Sequence, residues 1–291
     1  MSEIVYLNGS LIPRSQARIS VLDYGFLYGF GLFETMRAYG GQVFRLDSHL
    51  NRLARSAKIL GLPVVVTDLE DAVMATIQAN QLGDARIRIT VSIGEGSMIP
   101  DPSTCKQPRV LILAGDYHPY REQIYQKGFG AVVSSIRRNS GSPLSRLKST
   151  NYLENMLAKQ EARAAGVDEA LCLNEKGLLA EASMSNIFLV NDGVLRTPGE
   201  ESGILPGVTR GVVLELASRL DISTLEHDVR LDEIAEAQEA FLTNSLIEIM
   251  PLTEIAGRQV GSGRPGPVTR RLMADYKKLV LASRTSRTSE Q

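Results

Sequence analysis

Lys148 lies in a polar loop, NSGSPLSRLKST, that runs directly into the helix-forming stretch NYLENMLAKQEARAAG. A lysine at such a junction is partly withdrawn from water, which disfavours the ammonium and frees the amine to form an imine with a carbonyl. Glu181 precedes an apolar strand in GLLAEASMSNIFLV. A carboxylate there can hold the proton of a heterocyclic nitrogen; its plainer alternative is a solvated turn residue. Gly207, Val208 and Thr209 open a helix after Pro206, Ser245 occupies a polar turn, and Arg52 supplies a guanidinium. Free N–H groups and the dipole at a helix start favour an anion. Any one of these signals is weak alone, because many helices begin this way and most lysines, such as Lys277 and Lys278, simply face water. An imine-forming amine, a carboxylate for a ring nitrogen and a phosphate cradle are together the groups that pyridoxal 5'-phosphate chemistry requires.

The elements that would position them read as alternating strands and helices. IVYLNGSLI alternates around an Asn-Gly turn, VFRL is a short strand, and Asp47 is placed to cap a helix over HLNRLARSAKILG that Gly61 and Pro63 stop. A helix from about Asp68 to Asn80 precedes the strands ARIRITVSIG and PRVLILAGD. The segment from Asp116 to Glu122 reads as a connector, and 291 residues suit two domains. The boundary is therefore set there, giving domains 1–119 and 120–291. In the second, GFGAVVSSIRR is a strand, and Ser149, Thr150 and Asn151 are candidate caps for the helix after Lys148. Strands at EALCLN, SNIFLVND and VLRT, the helix LPGVTRGVVLELASRL, the strand pair AFLTNSLIEIMPL and a closing helix PVTRRLMADYKKLVLAS complete the chain, with RTSRTSEQ expected to fray.

Composition removes several function classes. A net charge of -1 with scattered Lys and Arg gives no electrostatic footprint for nucleic acid. No apolar run is long enough for a membrane span, and MSEIVYLNGSLIP lacks the basic start and apolar core of a signal peptide, so a cytoplasmic protein is expected. Cys105 and Cys172 read as reduced thiols, and His49, His118 and His227 are too isolated for a metal site and are assigned to structure. The run from Gly261 to Gly266 fits G-x-G-x-x-G, but too little chain follows for a dinucleotide-binding unit, so it reads as a turn into the last helix.

Taken in order, DYGFLYGFGLFETMRAYGG, VFRLDSHLNRL, LKSTNYLENMLAKQEA, EASMSNIFLV, GILPGVTR and FLTNSLIEIMPL resemble the class IV aminotransferases, the fold-type IV pyridoxal phosphate enzymes. The resemblance covers nearly the whole chain. It implies a two-domain α+β / α/β architecture, with a small N-terminal α/β domain and a larger C-terminal mixed α/β barrel-like domain. It implies a homodimer whose active site borrows residues from a second subunit. It assigns Lys148 as the imine-forming lysine, Glu181 to the pyridine nitrogen, Tyr152 to the cofactor's phenolic oxygen, and Arg52, Val208, Thr209 and Ser245 to the phosphate. Tyr28, Phe33, Arg37, Arg86, Arg88 and Leu246 match positions that meet the substrate, although each could instead serve packing or solvation.

Within that family the motifs divide. Lys148-Ser-Thr-Asn-Tyr152 and Thr243-Asn-Ser-Leu246 lean towards aminodeoxychorismate lyases, the first also towards D-amino-acid aminotransferases. Both groups often carry an arginine where this chain has Ile93, and Arg88 with GRPGPVTRRL looks more like the branched-chain enzymes, with Arg86 replacing a tyrosine. The expectation is therefore amino transfer between a small amino acid and a 2-oxo acid. Lysis of 4-amino-4-deoxychorismate to 4-aminobenzoate and pyruvate, D-amino-acid transamination, and non-catalytic cofactor binding are the alternatives.

Overall fold

The computed structural model describes residues 3–286. The chain divides into two compact units. One runs to His118 and takes in Leu147–Asn151, and the other comprises Pro119–Arg146 and Tyr152–Ala282.

In the first unit, β1 (Ile4–Leu7) and β2 (Ser10–Pro13) form a hairpin. Its turn residues Asn8 and Gly9 have φ 48° and 95°, the left-handed pair that a two-residue hairpin favours and that Asn and Gly tolerate. Asp23 caps the short α1 (Tyr24–Tyr28) by accepting from the Gly25 N–H, and β3 (Gly31–Tyr39) and β4 (Gln42–Val43) follow. The strand expected over VFRL stops at Val43 because Arg45 is left-handed at φ 55°. Arg45, without a side-chain cap bond, precedes α2 (Leu46–Leu60), so Asp47 sits in the first turn and does not cap. Then come α3 (Leu69–Ala79), β5 (Ala85–Ser92) and β6 (Arg109–Asp116).

The strands make a six-stranded antiparallel sheet in the order β2-β1-β6-β5-β3-β4. Strand side chains alternate between faces, so every second residue turns the same way. Leu32, Met36, Ile87, Ile89 and Val91 join Leu50, Leu53, Val73 and Ile77 of α2 and α3 in one apolar core. Phe33, Thr35 and Arg37 of β3 point to the other face, opposite Thr90, Arg88 and Arg86 of β5.

The second unit contains α4 (Glu122–Lys127), β7 (Phe129–Arg138), α5 (Leu153–Ala164), β8 (Glu169–Asn174), β9 (Leu179–Ala182), β10 (Asn186–Asn191) and β11 (Val194–Pro198). It continues with α6 (Val208–Arg219), β12 (Thr224–His227), α7 (Leu231–Ala235), β13 (Glu239–Asn244), β14 (Glu248–Ile255), β15 (Arg258–Gln259) and, as far as Ala282, α8 (Pro267–Ser286). A nine-stranded mixed sheet runs β12-β11-β10-β13-β14-β7-β8-β9, with β15 on β14. EALCLN is buried at every position, as expected of a strand with parallel pairing to β7. Leu171, Leu179, Ile187, Leu189, Leu242 and Met250 form the core beside it.

The glycine-rich GSGRPG loop leads into α8, where the Glu239 carboxylate accepts from the N–H groups of Val268 and Thr269 at 3.1 and 2.8 Å and from Thr269 Oγ1 at 2.7 Å. The helix start that a nucleotide phosphate would need is thus held by the protein's own carboxylate. Among the described residues, no helix is long and apolar enough to cross a membrane, and no cluster of His, Cys, Asp and Glu could hold a metal ion. Cys105 and Cys172 are free thiols, and burial pushes Cys172 up to about 12. The expected fraying of RTSRTSEQ falls mostly outside the described residues, since α8 is helical to Ser286.

Candidate active site

Lys148 is fixed by backbone pairing to β3. Its carbonyl accepts from the Phe33 N–H at 2.9 Å, Ser149 bridges Leu32, and the Thr150 N–H donates to Gly31 O at 2.9 Å. Thr150 Oγ1 and Asn151 Nδ2 both donate to Gly29 O, at 2.6 and 2.8 Å. These contacts correct the expectation that Ser149, Thr150 or Asn151 caps the next helix: α5 begins at Leu153 with Tyr152 in the cap position and no side-chain cap bond. Tyr152 therefore precedes the helix.

The Lys148 Nζ lies 4.6 Å from the centroid of the Phe33 ring, and Arg88 Cζ lies 3.9 Å from the same centroid. Arg88 Nε also donates to Thr90 Oγ1 at 3.2 Å. Farther along β3, the buried Arg37 places Cζ 4.3 Å from the Tyr39 ring and 4.9 Å from the Tyr117 ring. Arg86, directly opposite Arg37, is exposed, as is Tyr28 on α1. Ile93, where an arginine was the point of comparison, packs in the apolar core.

Arg52 projects from the buried side of α2 onto Glu34 of β3. Its Nε donates to Oε1 at 2.8 Å and Nη2 to Oε2 at 2.6 Å, and His49 Nδ1 meets Oε2 at 2.7 Å. Burial by itself would raise the Glu34 carboxyl, but the charge of Arg52 and the hydrogen bonds from His49 and Arg52 bring it down to about 2. Burial lowers His49 despite the pull of Glu34, so the imidazole is neutral and donates through Nδ1.

Glu181, Tyr152, Val208, Thr209, Ser245 and Leu246 all belong to the second unit. Glu181 is buried, with Oε2 accepting from Asn186 Nδ2 and from the Leu205 N–H, each at 3.0 Å. Oε1 lies 3.3 Å from Arg138 Nη1, while Arg138 Nε and Nη2 donate to Gly203 O and Ser145 O at 3.0 and 3.1 Å. Asn186 Nδ2 also donates to Leu205 O at 2.9 Å, tying Glu181 to the segment that opens α6. A Cβ on Gly207 would come 2.0 Å from Asn186 Oδ1, so only glycine fits where α6 begins. Thr209 in the first turn is buried.

Tyr152 Oη donates to Met184 Sδ at 3.1 Å, and Asn155 Nδ2 to Ser183 O at 2.7 Å. Asn244 Nδ2 donates to Met184 O and Ser185 Oγ at 3.1 and 3.0 Å, while its Oδ1 accepts from the N–H groups of Leu246 and Ile247 at 2.9 and 3.0 Å. This asparagine shapes the turn that carries Ser245 and Leu246. Thr243, opposite Asn186 in the β10–β13 register, has a buried Oγ1 with no hydrogen-bond partner among the described residues. Sequence reasoning missed Arg138, Asn186 and Glu34. The signal was slight: a strand-ending Arg-Arg, one polar residue before an apolar run, and one acid inside an apolar strand.

The sequence pattern of the family described as amino-transferase class IV matches residues 31–255. The branched-chain-amino-acid aminotransferase of Pseudomonas aeruginosa is 36% identical over 286 residues, covering 95% of this chain and 92% of that one. The aminodeoxychorismate lyase of Bacillus subtilis is 36% identical over 279 residues, covering 94% of each chain. Among solved structures, the branched-chain aminotransferase from the thermophilic archaeon Thermoproteus uzoniensis with norvaline superposes with a TM-score of 0.90 at 38% identity, over 97% of this chain and 96% of that one.

Proposed function

Because the chain belongs to the class IV amino-transferases, we propose that it moves the amino group between a small amino acid of branched-chain-like character and a 2-oxo acid. The observation that carries this reading is the link from Glu181 through Asn186 and Leu205 to the start of α6. It sets a buried carboxylate at a fixed spacing from a helix start, where free N–H groups and the dipole favour an anion. Pyridoxal 5'-phosphate fits these residues: Gly207 leaves the helix start without a Cβ, and the buried Thr243 hydroxyl beside Asn186 is a polar group that a ligand or its water would satisfy. When bound, the cofactor supplies an electron sink that stabilises negative charge at the substrate's reacting carbon.

The protein's own residues have separable tasks in this reading. Lys148 Nζ is the amine that would hold the cofactor covalently and would move the proton at the substrate's reacting carbon. Glu181, which faces Arg138 and accepts from two N–H donors, would favour a proton on the cofactor's ring nitrogen. Tyr152 would face the cofactor's phenolic oxygen. Arg52, oriented by Glu34, and the Val208, Thr209 and Ser245 groups take the phosphate. Tyr28, Phe33 and Leu246 give an apolar wall, and Arg37, Arg86 or Arg88 a carboxylate contact.

A cytoplasmic homodimer is part of the same proposal. On α5, Leu153, Met156 and Leu157 are exposed at the spacing of one helix face, and Val21 and Phe26 are 72% and 74% exposed. A second copy of the chain would cover such apolar surface.

Purified holoenzyme mixed with leucine, glutamate or D-alanine and with 2-oxoglutarate or pyruvate should exchange keto acids. The lyase has support of its own in Thr243-Asn-Ser-Leu246 and in the Bacillus subtilis relative. Rapid release of 4-aminobenzoate from aminodeoxychorismate without transamination of any pair would make that second reading the right one, and transfer from D-alanine alone would favour the D-amino-acid reading.

A further inference from the structure

The link between β9 and β10 is three residues long, Ser183, Met184 and Ser185, and side chains and backbone from several elements hold it. The Ser183 N–H donates to Ala170 O of β8 at 2.8 Å, and the Ser183 carbonyl accepts from Asn155 Nδ2 of α5 at 2.7 Å. The Met184 carbonyl accepts from Asn244 Nδ2 at the end of β13 at 3.1 Å, and the Ser185 carbonyl from the Ala182 N–H at 2.7 Å. Ser183 Oγ donates to the buried Glu169 carboxylate, and Ser185 Oγ accepts from Asn244 Nδ2 at 3.0 Å. A backbone tied on so many sides has little freedom, so the chemistry of the link lies in the side chain that it presents.

That side chain is Met184. Ser183, Ser185 and Asn186 are buried, whereas Met184 is half-buried and its Sδ accepts from Tyr152 Oη at 3.1 Å. A thioether is a weak acceptor, well below a carbonyl or an anionic oxygen. A phenol has one proton to donate, so its commitment to sulfur decides how readily it serves a ligand. A hydroxyl held by a strong acceptor would surrender a full hydrogen bond before turning to a ligand; one held by sulfur surrenders little.

We propose that Met184 is a placeholder acceptor for the Tyr152 hydroxyl, weak enough to yield it to the phenolic oxygen of pyridoxal 5'-phosphate. The proposal rests on the cofactor reading given above and makes Met184 a positioning residue that acts through Tyr152. Methionine suits the task because its unbranched side chain adjusts when the hydroxyl leaves, while the backbone on either side stays tied to Asn155 and Asn244. The same ties mean that a replacement at this position changes the acceptor and not the course of the chain.

The test measures the Kd of the full chain for pyridoxal 5'-phosphate, by absorbance titration, in proteins that differ in the acceptor offered at position 184. Met184→Leu, of like size with no acceptor, should bind at least as tightly as wild type. Met184→Gln, whose amide oxygen is a full-strength acceptor, should bind roughly fivefold more weakly. In a Tyr152→Phe background the difference between the Met, Leu and Gln proteins should vanish, because no hydroxyl remains to compete for. The pH at which the visible band of the holoenzyme changes should shift in Met184→Gln in the same direction as in Tyr152→Phe. A Leu variant that binds several-fold more weakly than wild type, a Gln variant that binds as tightly, or a Gln effect that survives in Tyr152→Phe would each overturn the proposal. A wild type that binds no pyridoxal 5'-phosphate would overturn the cofactor reading and the placeholder together, whereas binding without amino transfer would count against the function alone, since the comparison of Kd values needs no turnover. Met184 is half-buried and both replacements are of like size, so the cofactor-free unfolding temperatures should match wild type.

Discussion

Glu34 and Arg52 form a buried two-bond ion pair, Oε1 to Nε at 2.8 Å and Oε2 to Nη2 at 2.6 Å, with His49 closing on the same carboxylate. Glu34 titrates at about 2 in the fold against an ordinary 4.5, so between those values the folded chain binds fewer protons than the unfolded one. Its stabilisation is complete above 4.5 and lost as pH falls towards 2. His49 is also lowered, from 6.5, so it too favours the folded state less as acid is added, beginning below 6.5. The unfolding temperature should therefore decline in two stages on acidification. His49→Gln should flatten the stage that begins below 6.5, and Glu34→Gln, which leaves Arg52 buried beside a neutral amide, should cost about 3–5 kcal/mol at neutral pH. An unchanged pH profile in the His49 variant would place the first stage elsewhere.

Lys148→Ala should fold normally yet lose the visible absorbance of covalently held cofactor, with turnover reduced roughly 10²–10⁴-fold or more. Lys159, the next lysine in the chain, does not substitute, since its Nζ donates to Asp168 O and lies 3.9 Å from Glu169. Borohydride reduction followed by peptide mapping should find the label on Lys148; a label on Lys159 would refute the assignment.

Glu181→Gln should keep cofactor but lower the rate roughly hundredfold, because an amide no longer favours a proton on the ring nitrogen. Arg138→Met removes the cation 3.3 Å from the same carboxylate and should also reduce turnover, with a shifted pH–rate profile that a purely structural loss would not produce. Near-normal kinetics in Glu181→Gln would mean that another group holds that proton.

Gly207→Ala places a methyl group 2.0 Å from Asn186 Oδ1, in contact with the residue that ties Glu181 to α6. The strain should weaken cofactor binding or the fold by about 1–3 kcal/mol, read by cofactor titration and by thermal unfolding. Tight cofactor binding and an unchanged unfolding temperature together would show that the start of α6 is not a cradle.

At α8, Glu239→Gln should lower stability by about 1–2 kcal/mol through loss of an ionised cap on Val268, Thr269 and the Thr269 hydroxyl. Neither wild type nor variant should bind NAD or ATP at the GSGRPG loop in calorimetry, because a Cβ at Gly266 would already meet the Glu239 carboxyl at 2.0 Å and the space is filled.

Local pattern was enough to determine much of this protein. The alternation of ARIRITVS separates Ile87, Ile89 and Val91 from Arg86, Arg88 and Thr90, and the structure turns the first set into the core and the second to the opposite face. The Asn8-Gly9 turn and Gly61 at the end of α2 were legible for the same reason: each is a conformational requirement met within a few residues. What the sequence left open were choices between partners that are equally suitable chemically. Ser149, Thr150 and Asn151 can each cap a helix, and only the pairing of this segment with β3 and Gly29 shows that they anchor Lys148 instead. Arg138 and Asn186 are ordinary polar residues until β7, β9 and β10 bring them to Glu181, and Glu34 is an anomaly until α2 lays Arg52 and His49 over it. A buried charge needs a partner, but its identity is set by which distant strands and helices pack together, a property of the whole fold and not of any window of sequence.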